Sequence, residues 1–441
     1  MQSEKPAKSP RRGTPWTTGE KWLLSVIIVA LAGGIGIWAA FNSLEQMPDI
    51  KIPERVEPSP NGYTYFLSAA DAAVEGGSAL ASLPRAQTSA HPEQWLTKPP
   101  SALALAADRR VAPQNAAALA LLCQGLALPC LAPQQLSPTM PRPVAKLRHL
   151  ARAVRDTSIA MAADGHVSQA MDTATDGLAL GERMIQGGDM IDMIVGKACQ
   201  ALGRRAIWPM VSHADVKSAR LTAQRILAID SHAASFGEIL EADKWTTLSS
   251  ILPTLGKPTW RADLLSNYGA NGEADPAQAR ALSFVSKRAL VNAYMKRVDQ
   301  TIAITKGPFQ AGVKAPNSGI QFVDDSLMML VESDWYLWCL NSVNNRLLAT
   351  TLALRAYRLD HGSYPATLAA LVPEYLPAIP QDQFSGTVLK YKLAGGVYTL
   401  YSVGPDGKDN GGKAIGTDYK GDSRYHVRWS SRGDIVAGLN E

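Results

Sequence analysis

Residues able to do chemistry are few in this chain, and the most suggestive lie near its end. The run Ser402-Val403-Gly404-Pro405-Asp406-Gly407-Lys408-Asp409-Asn410-Gly411-Gly412 sets two aspartates among glycines. Such a backbone folds tightly enough for side-chain and carbonyl oxygens to converge. That suits Ca²⁺, which takes about six to eight oxygen ligands; a solvated turn has the same composition. Gly407 to Ala414 nearly spells a phosphate-binding loop. However, Ala414 stands where a Ser or Thr hydroxyl would hold Mg²⁺, and Asp409 would repel phosphate. Farther upstream, Glu238, Glu241 and Asp243 could share one helical face. Paired carboxylates can hydrolyse glycosides, so a cell-wall glycan hydrolase is one reading and a solvated helix face the other. Cys123 and Cys130 are near enough in sequence to close a short disulfide loop outside the cytoplasm, or to stay free and buried. Cys199 and Cys339 lie in apolar stretches and read as core. No Cys-x-x-Cys, His-Glu-x-x-His or Gly-x-Ser-x-Gly pattern occurs. His213 with Asp215 reads as a helix end followed by an N-cap. The chain is therefore read as non-enzymatic.

The elements that would position the Asp/Gly loop begin near Asn344. Leu347, Thr351 and Leu354 fall on one helical face with Leu348, Leu352 and Leu359 beside them, while Arg346, Arg355 and Arg358 lie largely outside the stripe. Gly362 is a helix stop, and Tyr364-Pro365 prevents resumption because a residue before proline is pushed out of the α region. Leu368, Leu371 and Val372 suggest a short second helix ended by Pro373. The period then changes to two. Leu389, Tyr391 and Leu393 alternate with Val388, Lys390 and Lys392, a loop follows at Ala394-Gly395-Gly396, and Val397 to Tyr401 is the returning strand of a hairpin.

Tyr357 to Pro365, Leu371 to Pro373, Tyr375-Leu376, Pro380 to Phe384, Tyr391 and Leu400 to Gly407 resemble, in order and spacing, the globular half of the type II secretion major pseudopilin, a type IV pilin-like family. The likeness covers about residues 341–441. It implies a helix packed on a small antiparallel sheet and a calcium-binding C-terminal loop. Carried over by position, Asp406 would be a side-chain ligand, Val403 a carbonyl ligand and Asp434 a late acidic ligand. Asp409, Asp418 and Asp422 are alternative donors, and residues 413–432 look inserted. The family's membrane helix opens with a motif containing a glutamate, which residues 22–41 lack. The likeness is thus to a pilin head without a pilin tail. It points to a structural or interaction component, accessory to a type II secretion or pilus-like system, or to a free-standing structural envelope protein.

At 441 residues, 46% hydrophobic and 19% charged, the chain can bury a large core. Its net charge of +5 is spread along the sequence, which argues against nucleic acid as a partner. A basic tail, residues 1–21, precedes the uncharged run Trp22 to Phe41. Twenty residues at about 1.5 Å each match the bilayer core, with Trp22 and Trp38 near the interfaces. Cations on the N-terminal side place that end in the cytoplasm and the bulk outside it, as in an uncleaved single-pass protein of the bacterial inner membrane. Ala32, Gly36 and Ala40 would permit close pairing of two such helices in a homodimer.

The remainder divides into a proline-rich linker (42–62), a helical domain (63–335) and the pseudopilin-like domain (336–441). The predicted helical pieces are Ser68–Leu80, Ser101–Arg110 and Asn115–Leu122. Val144–Ala163, His166–Ile185 and Asp189–His213 follow, then one opened by Asp215 as N-cap, then Ser231–Ser250 and Ala279–Thr305. Leu252–Gln278, rich in Pro, Gly and Asn, is expected to be a long surface loop with Lys306–Ser318 as another. Glycine-joined helices predict an α-hairpin bundle. The expected class is mainly α with a C-terminal α+β domain.

Overall fold

The computed structural model describes residues 46–47, 49–76, 101–136, 140, 142–268, 276–328, 331–416 and 427–440, with Trp22 and Gly33. Its architecture is mainly helical with one small three-stranded antiparallel sheet. Apart from Trp22 and Gly33, the expected membrane span lies outside the described residues. Among those described, no helix is long and apolar enough to cross a membrane.

Three helices open the body: α1 (Gly62–Ala72), α2 (Ala102–Val111) and α3 (Ala116–Leu126). Next comes the hairpin array: α4 (Val144–Ala163), α5 (Val167–Arg183) and α6 (Met190–Met210). The α4–α5 turn needs glycine, since Gly165 takes φ +89°. Helix α6 begins with a capping box: Asp189 accepts from the amides of Ile191 and Asp192, while the Asp192 carboxylate accepts from the Asp189 amide. Helices α5 and α6 pack almost backbone to backbone, because a Cβ on Gly181 would lie 2.5 Å from the Gly196 carbonyl oxygen. Helix α7 (Val216–Ser231) is capped as its sequence predicts, with Asp215 accepting from the Ser218 amide at 2.7 Å.

Two expectations fail in the next stretch. The helix expected from Ser231 starts instead at Phe236, as α8 (Phe236–Leu255), behind a Ser235–Glu238 capping box. Nor are the described residues of Leu252–Gln278 a surface loop. Helix α8 continues through Pro253, and α9 (Trp260–Tyr268) buries Trp260, Leu264 and Leu265. Three large apolar side chains outweigh the local Pro and Gly content, since each gains roughly 1.5–3 kcal/mol on burial. Arg261 stacks on the Trp260 ring at 4.1 Å and donates to the carbonyls of Leu282 and Val285. These groups tie α9 to α10 (Pro276–Ser283) and the start of α11 (Lys287–Ile304).

The helix expected from about Asn344 begins earlier, as part of the long α12 (Val331–His361), one element of about 46 Å. It is buried on all sides from Asn341 to Leu354, between α6 and α7 and the sheet. Leu347, Leu348, Leu352 and Leu354 are in the core, while Leu359 emerges 42% exposed beyond it. Arg346, expected toward solvent, instead pairs with Asp230 of α7 at 2.7 Å.

Leu368–Leu371 is a single 3₁₀ turn. Strand β1 (Lys390–Ala394) pairs antiparallel with β2 (Val397–Ser402), and Ala394 opposes Val397. The hairpin loop is thus two residues, Gly395-Gly396, rather than three; both have positive φ, as such a turn requires. Leu389 is buried but Leu393, expected inside, is 38% exposed near the hairpin tip. The third strand, β3 (Ile435–Val436), pairs with Tyr401 and Ser402 of β2.

The proline-rich linker does not stand free. Residues 49–61 lie along the helical body as a strap. The Arg55 guanidinium donates to the carbonyls of Gly187 and Ala132, and Gln134 donates to the Pro53 carbonyl at 2.8 Å. Buried residues from Tyr63 to Ile435 form one contiguous core.

Candidate functional site

The Asp/Gly loop is organised by two buried carboxylates, one of which sequence reasoning missed. Asp382, fully buried, accepts from the amides of Phe384 and Val403 at 3.0 Å each and from the hydroxyls of Ser402 at 2.7 Å and Ser385 at 3.2 Å. Nothing in the local pattern marks this role. The residue lies after Pro380, and three of its four donors come from Ser385, Ser402 and Val403. Asp434 opens β3 and is also fully buried; it accepts from the amides of Asn410 at 3.1 Å and Gly412 at 2.6 Å. The loop can approach this closely because Gly404 carries no side chain: a Cβ there would meet the Gly433 carbonyl oxygen at 2.5 Å.

The proposed ligands can now be placed. Asp409 accepts from the Gly411 amide at 2.9 Å and the Tyr401 hydroxyl at 3.1 Å. That amide bond, above all, holds its carboxyl below the usual range. Burial pushes Asp434 up, with Asp409 adding like charge. Burial and the Asp409 hydrogen bond also push the Tyr401 phenol up to about 12. Asp406 accepts from the Lys408 amide at 3.1 Å, closing its own turn. Val403 enters through its amide, already given to Asp382. Asp409 and Asp434 are therefore brought near each other, but their oxygens serve N–H and O–H donors. Among the described residues no three His, Cys, Asp or Glu side chains converge as a metal would require. Among the described residues, Asp382 and Asp434 act as internal acceptors that fix the loop. Asp418 and Asp422 lie outside the described residues.

The upstream acids do not pair either. Glu238 accepts from the amide and hydroxyl of Ser235. Glu241 accepts from Lys244 at 2.7 Å and from the Trp245 indole at 2.9 Å. Asp243 turns to the Met190 amide at 3.4 Å. Its carboxyl is pushed up to about 7 by burial and then by Asp189. Glu238 and Glu241 border a cleft of 290 Å³ shared with Arg55, Asp189, Asp192 and Trp245. Asp189 is already held by Arg142 through two bonds of 2.8 and 2.7 Å. Glu238, Glu241, Asp243 and Asp189 thus each have their own structural partner among the described residues. The Asp189-x-x-Asp192 spacing after Gly187-Gly188 was the sequence signal for this junction; only its capping half could have been read from it.

Cys123 and Cys130 are both free thiols. Cys123 is exposed and directed at Asp176 (3.7 Å), whereas Cys130 is buried and donates to the Arg183 carbonyl at 3.3 Å. The rigid end of α3 and the Pro129 turn point them to different neighbours, so the disulfide considered from their spacing is not formed. The chain matches no protein-family model, no curated protein and no solved structure.

Proposed function

We propose that the protein is a cell-envelope component anchored by a single transmembrane helix at residues 22–41. On this reading it acts by presenting a rigid interaction body rather than by catalysis. The observation that carries the reading is the sharing of α12: one helix is buried against α6 and α7 and also packs on β2. A helical adaptor and a pilin-like head joined through a common core move as one piece. The strap at 49–61 is itself held on that piece.

The pilin-like helix is sheathed by the helical body, so its surface is not open for stacking into a filament. This favours an accessory to a secretion or pilus-like machine over a filament subunit. The test is fractionation of cells carrying the full chain, followed by crosslinking. The chain should resist alkaline extraction from membranes, its bulk should be accessible to protease from the non-cytoplasmic side, and crosslinks should form to components of the secretion machine. Release by alkali, or crosslinks to none of those components, overturns the reading.

A further inference from the structure

One carboxylate stands outside everything above. Asp108 of α2 is 3% exposed, and among the described residues its Oδ1 has no hydrogen-bond partner. That oxygen backs onto the 73–76 segment so closely that a Cβ on Gly76 would lie 2.5 Å from it. Beyond Gly76 sits Asp156 of α4, also buried, whose Oδ2 accepts from the Gly76 amide at 3.1 Å. The cation at hand, Arg155, is committed to the other oxygen of Asp156 through Nε at 2.8 Å and Nη2 at 2.5 Å.

Among the described residues, the surrounding charges are engaged elsewhere or face solvent. Glu75 of the 73–76 segment is held by Arg152 and His149 of α4. Asp71 of α1 pairs with Lys146, and Arg109 of α2 turns to Asp164. Arg110 is exposed. Asn115, next along the chain, spends its amide on Val74 and Thr157.

We propose that Asp108 is a proton-operated latch, which keeps α2 and the 73–76 segment seated on α4 while its carboxyl is neutral and loosens them when it ionises. A neutral carboxyl tolerates an apolar contact beside a carboxylate; an anion there is desolvated, unpaired and repelled. Burial first, then the charge of Asp156, lifts the Asp108 carboxyl from 3.8 to about 7. In the opened state it would regain its ordinary value. Local opening is therefore favoured as pH rises from about 4 to about 7, by up to roughly tenfold per pH unit, and levels off above.

Hydrogen exchange of the full chain in detergent, resolved by segment and corrected for the intrinsic pH dependence of exchange, tests this between pH 5 and 8. Segments 62–76 and 101–115 should lose protection up to pH 7 and then plateau. Asp108→Asn should abolish that slope in these two segments while leaving α5 and α6 unaffected. Asp156→Asn provides a second variant: it removes the like charge, frees Arg155 to face Asp108, and should move the plateau to lower pH. A pH-independent wild type, or a slope that survives Asp108→Asn, overturns the latch.

Discussion

Asp382 and Asp434 show how much one buried carboxylate can organise. Asp382 gathers four donors from two separate stretches, so Asp382→Ala would leave the Ser402 hydroxyl hydrogen and the Val403 amide buried without an acceptor. The expected cost is about 3 kcal/mol or more, read as a lower midpoint in denaturant. If calcium instead held this loop, a strong chelator would lower the melting temperature; the expected result is no change with chelator but a clear loss with Asp382→Ala. The acids at the α6 start make a pH prediction. The Asp243 carboxyl is lifted to about 7 by burial and then Asp189, that of Asp192 to about 6 by the same causes, and that of Asp334 to about 6 by burial. A carboxyl raised on folding binds its proton more tightly in the folded chain. Stability should therefore fall as pH rises from about 4 to about 7. The chain should melt at a higher temperature at pH 5.5 than at pH 8, and Asp243→Asn should flatten the difference. Equal melting temperatures would contradict the burial of these acids.

At the scale of elements, the α5–α6 contact is the tightest test of packing. Gly181 and Gly196 face each other so closely that a Cβ on either meets the other's carbonyl oxygen within 2.5 Å. Gly181→Ala should force the helices apart at a cost of about 1–3 kcal/mol, measured by denaturant unfolding. A neutral outcome would mean that the two helices are not in backbone contact. Helix α12 is fixed in register by a buried polar network. Gln200 accepts from Asn341 at 2.7 Å and Asn345 at 3.0 Å, while Arg204 donates to both asparagine oxygens. Lys197 and Gln200 close the network on Glu182. Sliding α12 by one turn would break all four bonds made by Asn341 and Asn345 in a dry core, where unmet polar groups are most costly.

For the whole molecule, the strap at 49–61 ties the start of the described chain to the helical body. Arg55→Ala removes two bonds to Gly187 and Ala132. Cleavage after Glu54 and Glu57 by a glutamate-specific protease should then quicken by roughly tenfold, the equivalent of about 1.4 kcal/mol of local opening, with little change in overall melting. Unchanged cleavage would show that the strap is held by other contacts.

Much of the helical frame was legible from sequence. Val144–Ala163 was bounded correctly because its apolar period ends in Asp164-Gly165, and the Asp215 cap lies where its side chain can reach a free amide. The hairpin was legible for the same reason: its period of two and its paired glycines are local facts. What local patterns could not disclose were partners distant along the chain. Asp382 gives no sign of its grip on Val403, Glu241 none of whether it serves Trp245 or a substrate, and Pro253 none of the buried Trp260 that keeps its stretch helical. Sequence by itself thus determined where helices and strands could form, since caps and periodicity act within a few residues. Tertiary structure alone decided which charges are used up, because desolvation and pairing depend on what other segments bring into contact.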